Sequence, residues 1–432
     1  MKKAFSFIFC FSFLILTVSL SSFAAEAANN EPSVVSHGIE VLSERGGVAM
    51  SAVGGSEIIF EADDFKRMMN LSHIESVTVT EAPPISDGEL LLGSTVVTSG
   101  QTISAKNLGY LRYEHKSSIT SASSFRFSVD GAPYDVKCAV YILDKLNSAP
   151  TLSVAPETIL DVSTHRNVML YGVLPCYDPD GDETRIEIAS YPKNGSLILT
   201  DSSLGEYTYL PSENYTGNDS FSYVAVDKYG NYSSAKRVTL KVNKPKTSVV
   251  FADMTDSPDY ASALTVTEAG IMSGSQVGAH TYFYPSGTLT RAEFLVMAMK
   301  SIGINDVTSA TATVFSDNSD IPEHLRSYVA TAYELGYISG TYVDGKLCFL
   351  PSQTVTKAEA AVMICNMIDA ATPTVTPVFS DSDKIPAFAA SAVNSLSYMG
   401  ILRADGGNIS ASTPITRGEC AHLLAVVMKM SK

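Results

Sequence analysis

One tetrapeptide occurs three times in the C-terminal part of the chain: Thr290-Arg291-Ala292-Glu293, Thr356-Lys357-Ala358-Glu359 and Thr416-Arg417-Gly418-Glu419. Each copy opens an apolar run of helical period. Each also follows a Phe-x-Asp triplet, and these triplets start at positions 251, 315 and 379. A steady repeat of this length constrains the fold more than any local propensity. A repeat of this length must be recognised before any fold is assigned, and it makes the last part of the chain a threefold array. Residues 248–310, 311–374 and 375–432 read as three such units.

Each unit reads as helix, loop, helix. The first helices start near Pro258, Pro322 and Pro386 and stop at Gly270, Gly336 and Gly400, with proline at the front and glycine just past the end. The second helices open on the repeated box. Its Thr (Thr290, Thr356, Thr416) is placed to cap the helix, and its Glu (Glu293, Glu359, Glu419) to cap back, so each side chain satisfies an orphan N–H. Asp253, Asp317 and Asp381 of the triplets read as turn or cap residues. The cap leaves Arg291, Lys357 and Arg417 unexplained. They put a cation at the end of a helix whose dipole favours anions. An anionic ligand would compensate; a solvent-facing or carboxylate-paired side chain is the competing reading.

The 432 residues carry 45 acidic and 30 basic side chains, a formal net charge of −15, which argues against nucleic acid as a partner. Lys2 and Lys3, the apolar run Ala4 to Leu20 and Ala25-Glu26-Ala27 form a secretory signal-peptide pattern over 1–27, with mature protein expected from about Ala28. No later stretch has the ~18 apolar residues of a membrane span. The cysteines show no metal-ligand spacing.

Residues 28–148 and 149–243 are rich in short alternating strands and turn clusters, the pattern of β-sandwiches. They echo each other. Pro84 to Leu90 matches Pro192 to Leu197 around a shared Gly-x-Leu, Leu111-Arg112-Tyr113 matches Tyr207-Thr208-Tyr209, and Phe125-Arg126-Phe127 matches Phe221-Ser222-Tyr223. One short helix is expected at Ala62 to Met69. In the second copy Asp178, Asp180 and Asp182 alternate, so their carboxylates can converge on a hard cation such as Ca²⁺, with Asp227 joining from a later strand end. A solvated acidic turn is the alternative.

Two resemblances follow from these motifs. Tyr177-Asp178-Pro179-Asp180-Gly181-Asp182, with Gly217-Asn218-Asp219-Ser220-Phe221, resembles bacterial cadherin-like, immunoglobulin-like surface repeats, which implies a seven-strand sandwich acting as spacer or adhesive unit. The Phe-x-Asp opening, Gly270-Ile271-Met272-Ser273-Gly274, Phe283-Tyr284-Pro285 and the Thr-Arg-Ala-Glu box are similar to S-layer homology domains. That resemblance implies an all-α pseudo-threefold array on a Gram-positive-type surface. It also implies that Arg291, Lys357 and Arg417 bind an acidic, often pyruvylated, secondary cell-wall polysaccharide. The third repeat departs from the pattern, with Gly418 for Ala and Ser412-Thr413-Pro414 where Phe-x-Pro is expected. On this basis Arg291 is the strongest candidate contact and the third repeat the weakest.

The chain therefore reads as multidomain, with two all-β modules followed by a helical array. Its expected role is a secreted, non-enzymatic surface protein held non-covalently at the cell wall, with self-association or a surface ligand left to the β modules. The rival readings are a Ca²⁺-dependent adhesin and a wall-anchored hydrolase. The second would need paired carboxylates across a cleft or a nucleophile with its base. No such motif stands out.

Overall fold

The computed structural model describes residues 48–430, apart from 55, 70, 117–120, 153–159, 256, 308 and 373–378. The signal-peptide pattern over 1–27 lies outside the described residues.

The first β module pairs a five-stranded sheet with a four-stranded one. The larger sheet runs in the order Val48–Val53, Val136–Leu143, Ser121–Val129, Ser76–Glu81, Gln101–Ser104. The second module has four strands (Asp161–His165, Lys236–Asn243, Gly217–Asp227, Thr184–Ser190) facing three (Leu170–Val173, Glu206–Pro211, Gly195–Asp201). In both modules the first described strand runs parallel to the last. The helix Ala62–Met69 inserts Phe65 beside Phe60 and Phe127 in the first core.

The echoed Gly-x-Leu has a packing cause. A Cβ on Gly88 would lie 2.4 Å from the Tyr113 hydroxyl, and a Cβ on Gly195 would lie 2.4 Å from the Tyr209 ring. Each tyrosine is buried across the neighbouring strand and needs that missing side chain. The repeated sequence is thus one tyrosine-over-glycine contact used twice.

Helices Tyr260–Glu268, Arg291–Ser301, Glu323–Glu334, Lys357–Ile368, Ala390–Tyr398 and Arg417–Met430 form the array, two per repeat. Gly270, Gly336 and Gly400 hold φ of 71°, 75° and 67°, the left-handed turn that stops each first helix. The array is not all-α. The first and second repeats each carry a hairpin, Ser275–Val277 with His280–Tyr282 and Thr341–Val343 with Lys346–Cys348. Phe251, Phe283, Phe315 and Phe349 anchor the core almost without exposure, at ~2 kcal/mol each.

The units join closely. Between the β modules, Tyr141 meets Tyr229 edge-on at 5.2 Å. Gly230 lies so near Ala49 that a Cβ would sit 1.9 Å from the Ala49 carbonyl oxygen. The second module docks on the array through Val168, which enters the array core, and through His165, whose Nε2 stands 3.1 Å from Glu268 Oε2.

Candidate functional site

The three boxes form one connected structure. In each, the Glu backbone N–H donates to the Thr Oγ1, and the Glu carboxylate accepts from the Thr backbone N–H. Such caps contribute ~1 kcal/mol apiece. The next two orphan donors go to a different repeat. Arg291 and Ala292 donate to the carbonyls of Gln353 and Pro351, Lys357 and Ala358 to Thr413 and Ala411, and Arg417 and Gly418 to Gly287 and Pro285. The first repeat thus bonds to the second, the second to the third, and the third back to the first.

These bonds answer the dipole argument. The positive end of each box helix faces backbone carbonyls of its neighbour, so no external anion is needed there. Arg291 turns sideways and is buried at 7% exposure. Its Nε donates to the Phe349 carbonyl at 3.0 Å and its Nη1 to Glu359 at 3.0 Å. Burial works against the Arg291 charge, and Glu359 supports it. Lys357, at 8% exposure, pairs with Glu419 at 2.6 Å. Burial alone would raise the Glu419 carboxyl; the bonds from Lys357 and Thr416 outweigh it and hold it below its ordinary value. Arg291 and Lys357 are therefore bolts between repeats, and a carboxylate-paired cation does choose the positive end of a helix when the neighbouring repeat supplies the carboxylate.

Arg417 differs. It is half-buried and donates only to the carbonyls of Phe283 and Ser273, at 2.9 and 2.8 Å. Its guanidinium lies 4.9 Å over the Phe283 ring. Among the described residues it forms no ion pair; Glu293, which would complete the series, stays on its own cap. The position that accepts its backbone N–H is Gly287, where the other two repeats have Gln353 and Thr413. A Cβ at Gly287 would lie 3.2 Å from Arg417 Cδ and 3.8 Å from Tyr284 Cβ. The missing side chain opens space between Arg417 and Tyr284, and Tyr284 stacks on Tyr282 at 5.8 Å and 23°. The seam between the third and first repeats thus combines a partly free guanidinium with the exposed Tyr284 and the half-buried Tyr282. Sequence reasoning ranked Arg291 above Arg417. Gly287 and Tyr284 are the local sequence differences that set the third box apart from the other two.

The triplet aspartates have one task each. Asp253 accepts from the N–H groups of Phe283 and Tyr284, Asp317 from Phe349 and Leu350, and Asp381 from Ile409 and Ser410. The second residue of each pair is left-handed, with φ of 58°, 62° and 52°. The counterpart of Phe-x-Pro in the third repeat is therefore Ile409-Ser410-Ala411, not Ser412-Thr413-Pro414. Gly418 also finds its reason: a Cβ there would lie 2.4 Å from Asp259 Oδ2, which is paired with Arg403.

At the junction of the two β modules, ligand atoms of Asp178, Asp182 and Asp227 lie within 4.8 Å of one another. Asp180 does not join them; it accepts from Ser148 N at 2.7 Å, with Lys145 at 3.5 Å. The turn folds back on the Asp178 carboxylate, so the three side chains do not share one face as they would along an extended strand. Asp178 Oδ1 accepts the Asp180 and Asp182 amides, while its buried Oδ2 has no partner. Burial pushes the Asp178 carboxyl up, and Asp182 and Asp227 add to this. Asn147, from the linker between modules, donates to Asp227 at 2.6 Å, and the half-exposed Lys228 reaches Asp182 at 2.9 Å. This donor set of hard oxygens with one orphan suits Ca²⁺.

Fold and site together define a class: β-sandwich modules carried on a self-closing helical repeat. Residues 147–241 match the bacterial Ig domain family, and 250–295, 319–361 and 378–421 match the S-layer homology domain family. The chain thus carries one bacterial Ig domain and three S-layer homology repeats, and such repeats anchor proteins to the cell wall or S-layer. Among the described residues no helix is long and apolar enough to cross a membrane. An amylopullulanase of Thermoanaerobacterium thermosulfurigenes is 30% identical over 28% of this chain. Exoglucanase XynX of Acetivibrio thermocellus is likewise 30% identical over 28% of it. The chain spans 6% and 11% of the length of these relatives. Among solved structures, the fibronectin(III)-like modules of Clostridium thermocellum CbhA align over 46% of this chain and 93% of theirs, at 16% identity and a TM-score of 0.22. Drosophila N-cadherin EC1-3 aligns over 46% of this chain and 64% of its own, at 14% identity and a TM-score of 0.22.

Proposed function

We propose that the protein is a non-enzymatic wall-anchored stalk, and that its pseudo-threefold array binds an acidic secondary cell-wall polysaccharide mainly through the groove between the third and first repeats. Arg417 carries the reading, as the box cation with no carboxylate partner among the described residues. A guanidinium recognises a carboxylate with two parallel donors, such as the carboxylate of a pyruvylated sugar. Tyr282 and Tyr284 offer a flat face to the sugar ring. Arg291 and Lys357 hold the repeats together. The β modules carry the stalk outward, as spacer, lattice or adhesion units. Co-sedimentation of the full chain with purified wall sacculi tests this. Arg417→Ala will weaken binding about tenfold or more, as expected for loss of a charge-assisted pair, and Tyr284→Ala will add to the loss. Stripping the acidic polymer from the sacculi will abolish binding. Undiminished sedimentation of Arg417→Ala would sink the proposal.

A second reading concerns the stalk itself, and the orphaned Asp178 Oδ2 favours it. Asp178, Asp182 and Asp227 would hold Ca²⁺, stiffening the joint that Asn147 and Gly230 already close. Ca²⁺ binding to the folded state alone must raise its melting temperature. In millimolar Ca²⁺ the β-module transition will rise by several degrees over that in EDTA, and Asp178→Asn will remove the difference. Equal melting in both buffers would reject the site.

A further inference from the structure

We propose that the cavity between the second β module and the array binds an amino sugar with a free ammonium group, at a site separate from the Arg417 groove. The cavity has a volume of about 360 Å³ and takes walls from both units. Cavities of this size at domain junctions are the usual place for small ligands. Tyr171 and Glu206 come from the β module; Asp259, Arg403, Asp405 and His422 come from the array.

The balance of donors and acceptors selects the ligand. Arg403 is the one strong cation on the wall, and Asp259 occupies it. His422 is buried, which lowers its pKa well below the ordinary value, so it stays neutral. Glu206 is half-buried and, among the described residues, its carboxylate has no hydrogen-bond partner. Burial pushes that carboxyl up, and the charges of Asp201 and Asp405 push it further; Arg403, held on Asp259, offsets them only in part. An unpaired, partly desolvated carboxylate beside two others costs free energy that a cationic donor recovers. These carboxylates exclude an acidic sugar of the kind that the Arg417 guanidinium would welcome. The ligand must bring a positive charge to Glu206 and Asp405. It must also bring hydroxyls for the remaining acceptors and a ring to lie against Tyr171 and the apolar floor of Gly172, Ile401 and Leu402. An unacetylated hexosamine has all three.

Isothermal calorimetry on the full chain at neutral pH tests this with glucosamine, N-acetylglucosamine and cyclohexylamine. Glucosamine will bind. N-acetylglucosamine, which lacks the charge, and cyclohexylamine, which lacks the hydroxyls, will each bind about tenfold more weakly or not at all. Glu206→Gln will weaken glucosamine by about the same factor, and Asp405→Asn, on an exposed loop that does not threaten folding, will weaken it too. Arg417→Ala will leave glucosamine binding unchanged, so failure here and failure of the wall-polymer reading are separate results. Equal binding of the three compounds, no binding of glucosamine, or indifference to both acidic variants would overturn the proposal.

Discussion

Arg291→Ala will destabilise the helical array by about 3 kcal/mol, the cost of breaking a buried ion pair from one side. The substitution removes the donors to the Phe349 carbonyl and to Glu359, and it leaves a void at a residue only 7% exposed. Urea unfolding of the full chain, followed by far-UV circular dichroism, will show the helical transition at lower denaturant. Arg417→Ala will cost about 1 kcal/mol, because its carbonyl acceptors are left where water reaches them. The same box position thus separates two roles: the first variant loses stability and the second loses polymer. An Arg291→Ala array as stable as the parent would show that the pair is not a bolt.

Asp381→Ala will have an effect of similar size. The carboxylate is 6% exposed and accepts the Ile409 and Ser410 amides at 2.9 and 2.8 Å. Hydrogen bonds to a charged group contribute about 1.5–3 kcal/mol each, so losing both should cost about 3 kcal/mol. The pair also holds Ser410 at a φ of 52°, a conformation that a non-glycine residue enters only under constraint. Asp381→Asn keeps one acceptor and should lose about half as much. Burial tends to raise this carboxyl, but the two amides win and hold it below its ordinary 3.8. Its contribution is therefore present above pH 3.8 and fades as the pH falls further. The gap between parent and Asp381→Ala must close in the same direction. A constant gap would mean that the side chain acts through packing and not through its charge.

Much of this was legible in the sequence. The period of the Phe-x-Asp triplets and the boxes revealed three units, and the Thr and Glu of each box announced their cap because capping is local. The Gly-x-Leu echo marked a tyrosine-over-glycine contact that both β modules carry. What could not be read was long-range. Nothing near Arg291 or Lys357 says that a carboxylate from the next repeat will reach it, since Glu359 and Glu419 are far along the chain and already committed to caps. The contacts between units gave no local signal either, as with His165 meeting Glu268. Asp180 was misplaced because alternation assumes an extended strand. The turn from Asp178 to Asp182 instead folds back on the Asp178 carboxylate.

The parallel pairing of first and last strands has a mechanical consequence. In each β module the first described strand lies beside the last and points the same way. These pairs run from Val48↔Cys138 to Val53↔Leu143 and from Asp161↔Thr239 to His165↔Asn243. Because the two strands point the same way, tension applied at the two ends slides them past each other and loads every rung of the ladder together. A hairpin pulled from its open end would instead unzip rung by rung. In the proposed stalk, with the array gripping the wall, fluid drag would pull the chain along its length. Both modules would then meet that force in shear, the direction in which a β ladder is hardest to tear.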